Sequence, residues 1–267
     1  MQKIYDCLTF FDENLLVNSR FEILNDVVDY FIIVESKYDH QGQKKKLNFK
    51  LENIKFESKI RYIVHDEKNL NNIKSWDAEK LQREKLFLGI VDASPEDIIL
   101  YSDSDEIPDP KLLKNFSLTK KYAIFMQKFY VYKLNIFNQY ESPWEGTRAC
   151  KKKDLKSFTH LRKKILKKNI QKSFWKFYFE RNIQILDRGG WHFNNVYSVK
   201  KISQKIKASP HQEFNKPRFY DEKTIEDNII QLRDLYDRKH QYKKVSIDES
   251  YPDYLLKNLY KFNDYIL

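Results

Sequence analysis

The chain is short of the residues that announce several common functions. Of its 267 residues, five are glycine, seven proline, two cysteine and two methionine. The glycines form neither G-x-G-x-x-G nor a Walker A sequence, which disfavours a dinucleotide fold of the usual fingerprint and a P-loop enzyme. Cys7 and Cys150 make no Cys-x-x-Cys pattern, so neither a zinc site nor a disulfide framework is suggested; they read as buried free thiols in a reducing compartment. No stretch approaches the roughly 18 apolar residues of a membrane span. The start, M-Q-K-I-Y-D-C-L-T-F-F-D, has acids too early and an apolar run too short for a signal peptide. There is no internal repeat and no linker-like segment.

Hydrophobic residues make up 41% of the chain and aromatics 15%, enough for a sizeable core in one α/β domain. Lys plus Arg is 49 against 38 Asp plus Glu, a net charge of +11. Such a surface implies anionic partners: a nucleotide, nucleic acid, an acidic glycan or anionic lipid head groups.

The first half alternates strand and helix patterns. Strands are expected at Lys3 to Phe11, Tyr30 to Glu35 and Ile60 to Val64, and helices over 13–26 and Trp76 to Val91, the latter with Trp76, Leu81, Leu88 and Val91 on one face. This argues a three-layer α/β sandwich with parallel strands. In the second half Tyr122 to Leu134 reads as a long strand, Trp144-Glu145-Gly146 as a loop, Lys151 to Lys172 as a solvated basic face, and Glu222 to His240 as an amphipathic helix. A short helix closes the chain at Tyr254 to Phe262. In D-R-G-G-W-H-F-N-N-V, the glycines beside Trp191 and His192 suggest close backbone approach to a ligand.

One stretch organises the rest: D-I-I-L-Y-S-D-S-D-E-I-P, Asp97 to Pro108. Ile98, Ile99 and Leu100 have the apolar run of a buried parallel strand. Asp103, Asp105 and Glu106 follow at its carboxyl end, where ligands bind in open α/β sheets. Two carboxylates side by side repel unless a cation lies between them. Mg²⁺ or Mn²⁺ suits carboxylate and phosphate oxygens, so the motif predicts a metal–diphosphate site.

Several segments together resemble glycosyltransferase family 17, which includes the bisecting β-1,4-N-acetylglucosaminyltransferase III. They are Phe10-Phe11-Asp12-Glu13 with Leu15 and Arg20, V-E-S-K-Y-D-H-Q-G-Q-K-K from Val34, W-D-A-E-K-L-Q-R-E from Trp76, D-S-D-E-I-P from Asp103, G-G-W-H-F from Gly189, and Y-L-L-K-N from Tyr254. The match runs over essentially the whole chain and is weakest over about residues 110–185. The resemblance implies a GT-A type α/β/α sandwich with a mostly parallel central sheet, a single domain over 1–267, and a UDP-sugar donor. It implies inverting transfer, with N-acetylglucosamine as the expected sugar. About residues 1–110 would form the nucleotide-sugar half and about 111–267 the acceptor half.

On that reading Asp105 holds the divalent ion, Asp103 helps or contacts the ribose, and His192 is a third ligand or a diphosphate contact. Arg83 is a donor contact, its planar fork suiting phosphate or sugar hydroxyls. Phe11, Asp12 and Glu35, at the ends of the first two strands, surround the uridine, with Lys44 or Lys45 reaching the diphosphate. Gly190 lies close to the donor, and Trp144 and Trp191 stack on sugar faces. An inverting transfer needs a base on the acceptor face. Glu213, where the family also carries an acid, is preferred over Glu145. The expected acceptor is a bacterial surface or lipid-linked glycan. The expected location is cytoplasmic, peripheral to the inner face of an anionic membrane. Two other classes compete. A metal-dependent phosphatase or nucleotidyltransferase fits poorly, because a haloacid-type D-x-D-x-[TV] would follow the first strand and here Ile107 takes the Thr/Val position. A nucleic-acid-binding protein fits the charge but lacks a binding motif, so no nucleic-acid partner is expected.

Overall fold

The computed structural model describes residues 2–39, 42–67, 75–167, 182–208 and 214–267. Four strands, β1 (Ile4–Phe10), β2 (Tyr30–Ser36), β3 (Ile60–His65) and β4 (Ile98–Asp103), lie in the order β3-β2-β1-β4 and all pair in parallel. The near-continuous apolar runs of β1, β2 and β4 reflect burial on both faces, whereas the edge strand β3 is only partly buried. In β1 the side chains alternate. Tyr5 and Cys7 face one layer, with Leu86, Ile90, Phe158 and Leu161, whereas Leu8 and Phe10 face the other, with Val17, Phe21 and Leu24. The first layer is built from α2 (Ser75–Glu84), the 3-10 turn Lys85–Gly89 and α4 (Phe158–Lys164); the second is α1 (Asn14–Leu24). These two layers enclose the parallel strands, which makes three layers in all.

Beyond β4 the sheet becomes mixed. Strand β8 (Trp144–Lys151) is antiparallel to both β4 and β6 (Tyr122–Val131). Strands β9 (Ile183–Leu186) and β10 (Gly190–Asn194) add in parallel to β6, and β10 also pairs antiparallel with the short β5 (Glu106–Pro108). Strands β7 (Ile136–Phe137) and β11 (Lys243–Lys244) complete that edge. The remaining helices are α3 (Pro110–Leu113), α5 (Val199–Ala208), α6 (Pro217–Tyr220), α7 (Glu222–Ile230) and α8 (Asp253–Lys257).

Four local expectations are corrected. Trp144-Glu145-Gly146 is the start of β8, not a loop, paired through Trp144 with Gln127 and Glu145 with Met126. A Cβ on Gly146 would lie 1.9 Å from Gln127 Oε1, so the glycine makes room for that side chain. The helix expected over Trp76 to Val91 ends at Glu84 and tightens into the 3-10 turn; Leu86 and Ile90 then reach the core, while Leu88 and Val91 are 59% and 77% exposed. The helix expected over Glu222 to His240 ends at Ile230. The next residues fold around Asp234, whose carboxylate accepts from Tyr236 N, Arg238 N, Arg238 Nε and the Tyr242 hydroxyl. An aspartate that offers the backbone acceptors of its own competes with helix. Finally, the described part of the basic stretch is not all solvated: Phe158 and Leu161 are core residues of α4, and Arg162 is turned inward. Residues 168–172 lie outside the described residues.

One buried ion pair ties the second layer to the acidic stretch Asp103 to Glu106. Arg20 on α1 donates from Nε and Nη2 to Asp6, both at 2.6 Å, from Nη2 to Ser102 Oγ at 2.8 Å, and from Nη1 to the Glu106 carbonyl. Both side chains are fully buried. The first residues of β5 are thereby held from beneath.

Candidate active site

Where β1, β4, β6 and β10 end and β8 begins, a cavity of about 640 Å³ opens. Part of its floor is the end of β1, with Thr9, Phe10 and Phe11 beside Gln82 of α2. Gln82 donates to the carbonyls of Val34 and Phe10, which fixes the helix against the strand ends.

Asp103 closes β4, and Ser104-Asp105 form a turn. The two acids therefore do not continue one extended strand, and their side chains part. Asp103 accepts from the Tyr101 hydroxyl at 3.2 Å and forms an ion pair with Arg162. Arg162 also reaches Glu106 Oε1 at 3.1 Å, and the same oxygen accepts from Trp144 Nε1 at 2.7 Å. Tyr101 in turn accepts from Arg83 Nε at 2.9 Å, and Arg83 pairs with Glu79. A continuous chain thus runs from Glu79 to Trp144 behind the motif. Burial works to raise the Asp103 pKa, but Arg162 and Arg83 outweigh it and hold the carboxyl well below its usual range. Arg162 is presented by α4, whose first amides are capped by Ser157 and by Glu84 of α2.

Asp105 turns the other way. Its Oδ1 faces His192 Nε2 at 3.4 Å, and its carbonyl accepts from Phe193 N at 2.9 Å. His192 comes from β10, held between β5 and β6 with His192 opposite Glu106 and Phe129. Its ring lies edge-on to Phe129 at 4.3 Å and tilted on Trp144 at 5.0 Å. Burial tends to raise the Asp105 pKa, yet His192 brings it below the usual value. The pair fits one hard ion: two neighbouring ligands of a divalent ion at about 2.1 Å stand about 3 Å apart. Among the described residues no group of three or more His, Cys, Asp or Glu gathers around one point. Two protein donors with the other positions left to substrate phosphate and water is how Mg²⁺ or Mn²⁺ is commonly held.

The other expected residues are distributed as follows. Phe11 lines the cavity, and Asp12 pairs with Lys201 of α5 at 3.0 Å beside a smaller hollow. Trp144 is on the wall. Trp191 faces away from its neighbour His192, packs in the core near Tyr251 and donates to the Ser250 carbonyl at 2.9 Å. Gly190 has φ +125°, and a Cβ there would lie 2.1 Å from the Ile107 carbonyl, so it serves the close approach of β5 and β10. Arg83 is buried behind the wall. Glu35 is also behind it, fully buried, accepting from Asn48 N, Phe49 N, Lys45 Nζ and the Tyr62 hydroxyl. Glu145 accepts from Lys167 N at 2.8 Å and is not on the wall. Lys44 bridges to Tyr38. Glu213 lies outside the described residues.

Several wall residues were not among the expected site residues: Glu13 and Glu79, which lie in the family-like segments, and Asn138, Glu141, Lys205 and Arg238. Glu13 is nearly buried, accepts from the amides of Phe11 and Asp12 at 2.9 Å each, and meets Lys205 at 3.6 Å. Burial opposes its ionisation, but Lys205, Tyr197 and those amides bring its pKa down.

The sequence model of glycosyltransferase family 17 matches residues 1–262. No curated protein matches the chain. Among solved structures, glucosyl-3-phosphoglycerate synthase from Mycobacterium tuberculosis in complex with UDP is similar at 14% identity, over 72% of this chain and 71% of that one, with a TM-score of 0.34. A glycosyltransferase involved in glycosylating the major capsid of PBCV-1 is 15% identical, over 69% and 81%, with a TM-score of 0.31. The inositol-1-phosphate CTP transferase of T. maritima is 12% identical, over 85% and 97%, with a TM-score of 0.30.

Proposed function

The chain belongs to glycosyltransferase family 17 and has a GT-A type α/β/α fold, and we propose that this glycosyltransferase is metal-dependent and inverting. The proposed reaction moves a sugar, N-acetylglucosamine by the family resemblance, from a UDP-sugar to a glycan hydroxyl. About residues 1–110 would bind the donor and about 111–267 the acceptor.

One observation carries the metal. Among the described residues five carboxylates line the cavity: Glu13, Glu79, Asp103, Asp105 and Glu141. Four have a lysine or arginine partner, respectively Lys205, Arg83, Arg162 and Arg238. Among the described residues Asp105 alone is paired only with a histidine. It is therefore the seat left for an added cation, and a diphosphate entering a cavity lined with acids needs one. Asp105 and His192 would hold that ion, which when bound neutralises charge developing on the departing diphosphate. Asp103, fixed by Arg162 and Tyr101, is set to position rather than to move. Phe11 offers a flat apolar face near the nucleoside. Among the described wall residues only Lys205 adds a cation on the proposed nucleotide side, where it meets Glu13.

The acceptor hydroxyl attacks the anomeric carbon opposite the leaving UDP, and its proton passes to a carboxylate on the acceptor face. Glu213 is the proposed base, with Glu145 second because its carboxylate is taken by the Lys167 amide. No helix among the described residues is long and apolar enough to cross a membrane. The net charge of +11 supports peripheral binding to anionic lipid, read by liposome sedimentation that is lost at high salt.

The test is UDP release from a panel of UDP-sugars with Mn²⁺ or Mg²⁺, with and without glycan acceptors. Turnover of one donor that is lost in chelator and in Asp105→Ala supports the reading. Full turnover in that variant removes the metal role.

A further inference from the structure

Two loops that each fold around one polar side chain meet at the far wall of the cavity. The first is the corner 138–142. Asn138 is 1% exposed, and its Oδ1 accepts from the amides of Tyr140 (3.0 Å) and Glu141 (3.2 Å), while its own amide donates to Phe129 O at 2.8 Å. The second is the loop 232–240, wrapped on Asp234 with left-handed φ at Leu232, Asp237 and Lys239. The loops are stitched together. Gln139 Nε2 donates to the Gln241 carbonyl at 2.7 Å, and the rings of Tyr140 and His240 stack at 4.0 Å. A side chain held this way is preorganised, because its loop does not have to be ordered by the ligand.

Three polar residues from these loops line the cavity and keep bonding capacity to spare. Asn138 Nδ2 is buried with no hydrogen-bond partner among the described residues. Glu141 and Arg238 stand 3.7 Å apart, longer than a direct hydrogen bond, so each can still bond a third group. Arg238 gives Nε and Nη2 to Asp234. Its bidentate fork is therefore already used, and only Nη1 turns to Glu141. Tyr236 lines the same wall, with Phe214 packed on it at 4.3 Å.

We propose that Asn138, Glu141 and Arg238 form the acceptor subsite, and that it takes an uncharged pyranose through neighbouring hydroxyls. This deepens the transferase reading above and rests on it. A hydroxyl both donates and accepts, so one sugar edge satisfies the carboxylate of Glu141, the amide of Asn138 and Nη1 of Arg238 together. An anionic sugar is disfavoured for two reasons. The carboxylates of Glu141 and Asp234 outnumber the one guanidinium, and the fork that would grip a carboxylate or phosphate is occupied. Tyr236 supplies an apolar surface for the ring.

The test uses the full chain with UDP and Mn²⁺. Binding of methyl β-pyranosides is measured by saturation-transfer NMR titration, with a neutral set (glucoside, galactoside, N-acetylglucosaminide) and the glucuronide. At least one neutral glycoside is expected to bind, and the glucuronide at least about tenfold more weakly. Glu141→Ala should weaken the neutral ligand about tenfold or more and leave the UDP-induced thermal shift unchanged. Asn138→Asp keeps the Oδ1 that folds the corner and replaces the free donor by a second carboxylate oxygen, so it should weaken the sugar about tenfold or more while UDP still binds below the variant's own melting midpoint. Glucuronide binding as tightly as the neutral sugars overturns the proposal. So does unchanged affinity in Glu141→Ala, or no neutral sugar bound by a protein that does bind UDP. A protein that binds neither UDP nor sugar overturns the transferase reading and this subsite with it.

Discussion

Glu35→Gln separates a structural carboxylate from a ligand-binding one. Glu35 stands at the end of β2, where a donor contact was expected, yet it is fully buried and receives four donors from its own chain. Its Oε1 accepts from Lys45 Nζ (2.5 Å) and Asn48 N (2.7 Å), and Oε2 from Phe49 N (3.0 Å) and Tyr62 Oη (2.8 Å). Glutamine keeps the shape but has one acceptor oxygen, and its NH₂ must face two of those donors. Two hydrogen bonds to a charged group are lost, at about 1.5–3 kcal/mol each. Lys45 is 13% exposed and can turn toward water, which discounts its share. A net loss of about 3–5 kcal/mol follows, a fall in melting temperature on the order of 10 °C for a chain of this size. Thermal unfolding gives that number, and UDP titration well below the midpoint should return an affinity within about threefold of wild type. A variant that melts within about 2 °C of wild type and loses tenfold in UDP affinity would refute the reasoning and return Glu35 to the donor site.

Other outcomes follow from the same network. Arg20→Ala leaves Asp6 buried without its partner and should cost about 3–5 kcal/mol in urea unfolding; a loss under about 1 kcal/mol would show that the pair does not anchor β5. Gly190→Ala places a Cβ against the Ile107 carbonyl at 2.1 Å and should misplace His192, weakening metal-dependent UDP binding beyond the stability loss; an unchanged UDP affinity would detach β10 from the site. Folding should also be acid-sensitive. Asp103, Asp105, Glu13 and Asp234 all have depressed folded pKa values, so their stabilisation is complete above the ordinary carboxylate range of about 4 and is lost as pH falls through the folded values. Urea midpoints that hold constant from pH 6 down to pH 3 would contradict this.

The legible parts of the chain are those where one local rule acts alone. The apolar runs of β1, β2 and β4 and the acids after Ile98-Ile99-Leu100 needed only burial and alternation. The meeting of Asp105 with His192 across more than eighty residues was signalled by their motifs, but the turn at Ser104 that points Asp103 elsewhere was not. Period-two alternation in G-W-H-F-N could have separated the residues: Trp191 and Phe193 share a core face, and His192 takes the other. Arg162 was hidden in a lysine-rich stretch, because charge density alone does not tell which one cation turns inward. Arg238 was misread as helical because Asp234 competes with the helix through its side chain, a contest decided by tertiary contacts with Tyr242. Glu141 carried no motif at all; its place depends on the corner folded by Asn138.

The central claim is that Asp105 and His192 form a cation seat through which a nucleoside diphosphate binds. The direct measurement is the melting temperature with UDP alone, Mn²⁺ alone and both, in wild type, Asp105→Ala and His192→Ala. At about 100 times its dissociation constant a ligand stabilises the folded state by about 2.7 kcal/mol, a rise of several degrees here. The account predicts that rise only when UDP and Mn²⁺ are both present, and its loss in Asp105→Ala and His192→Ala. An equal rise with UDP in chelator, or an undiminished one in Asp105→Ala, would contradict it.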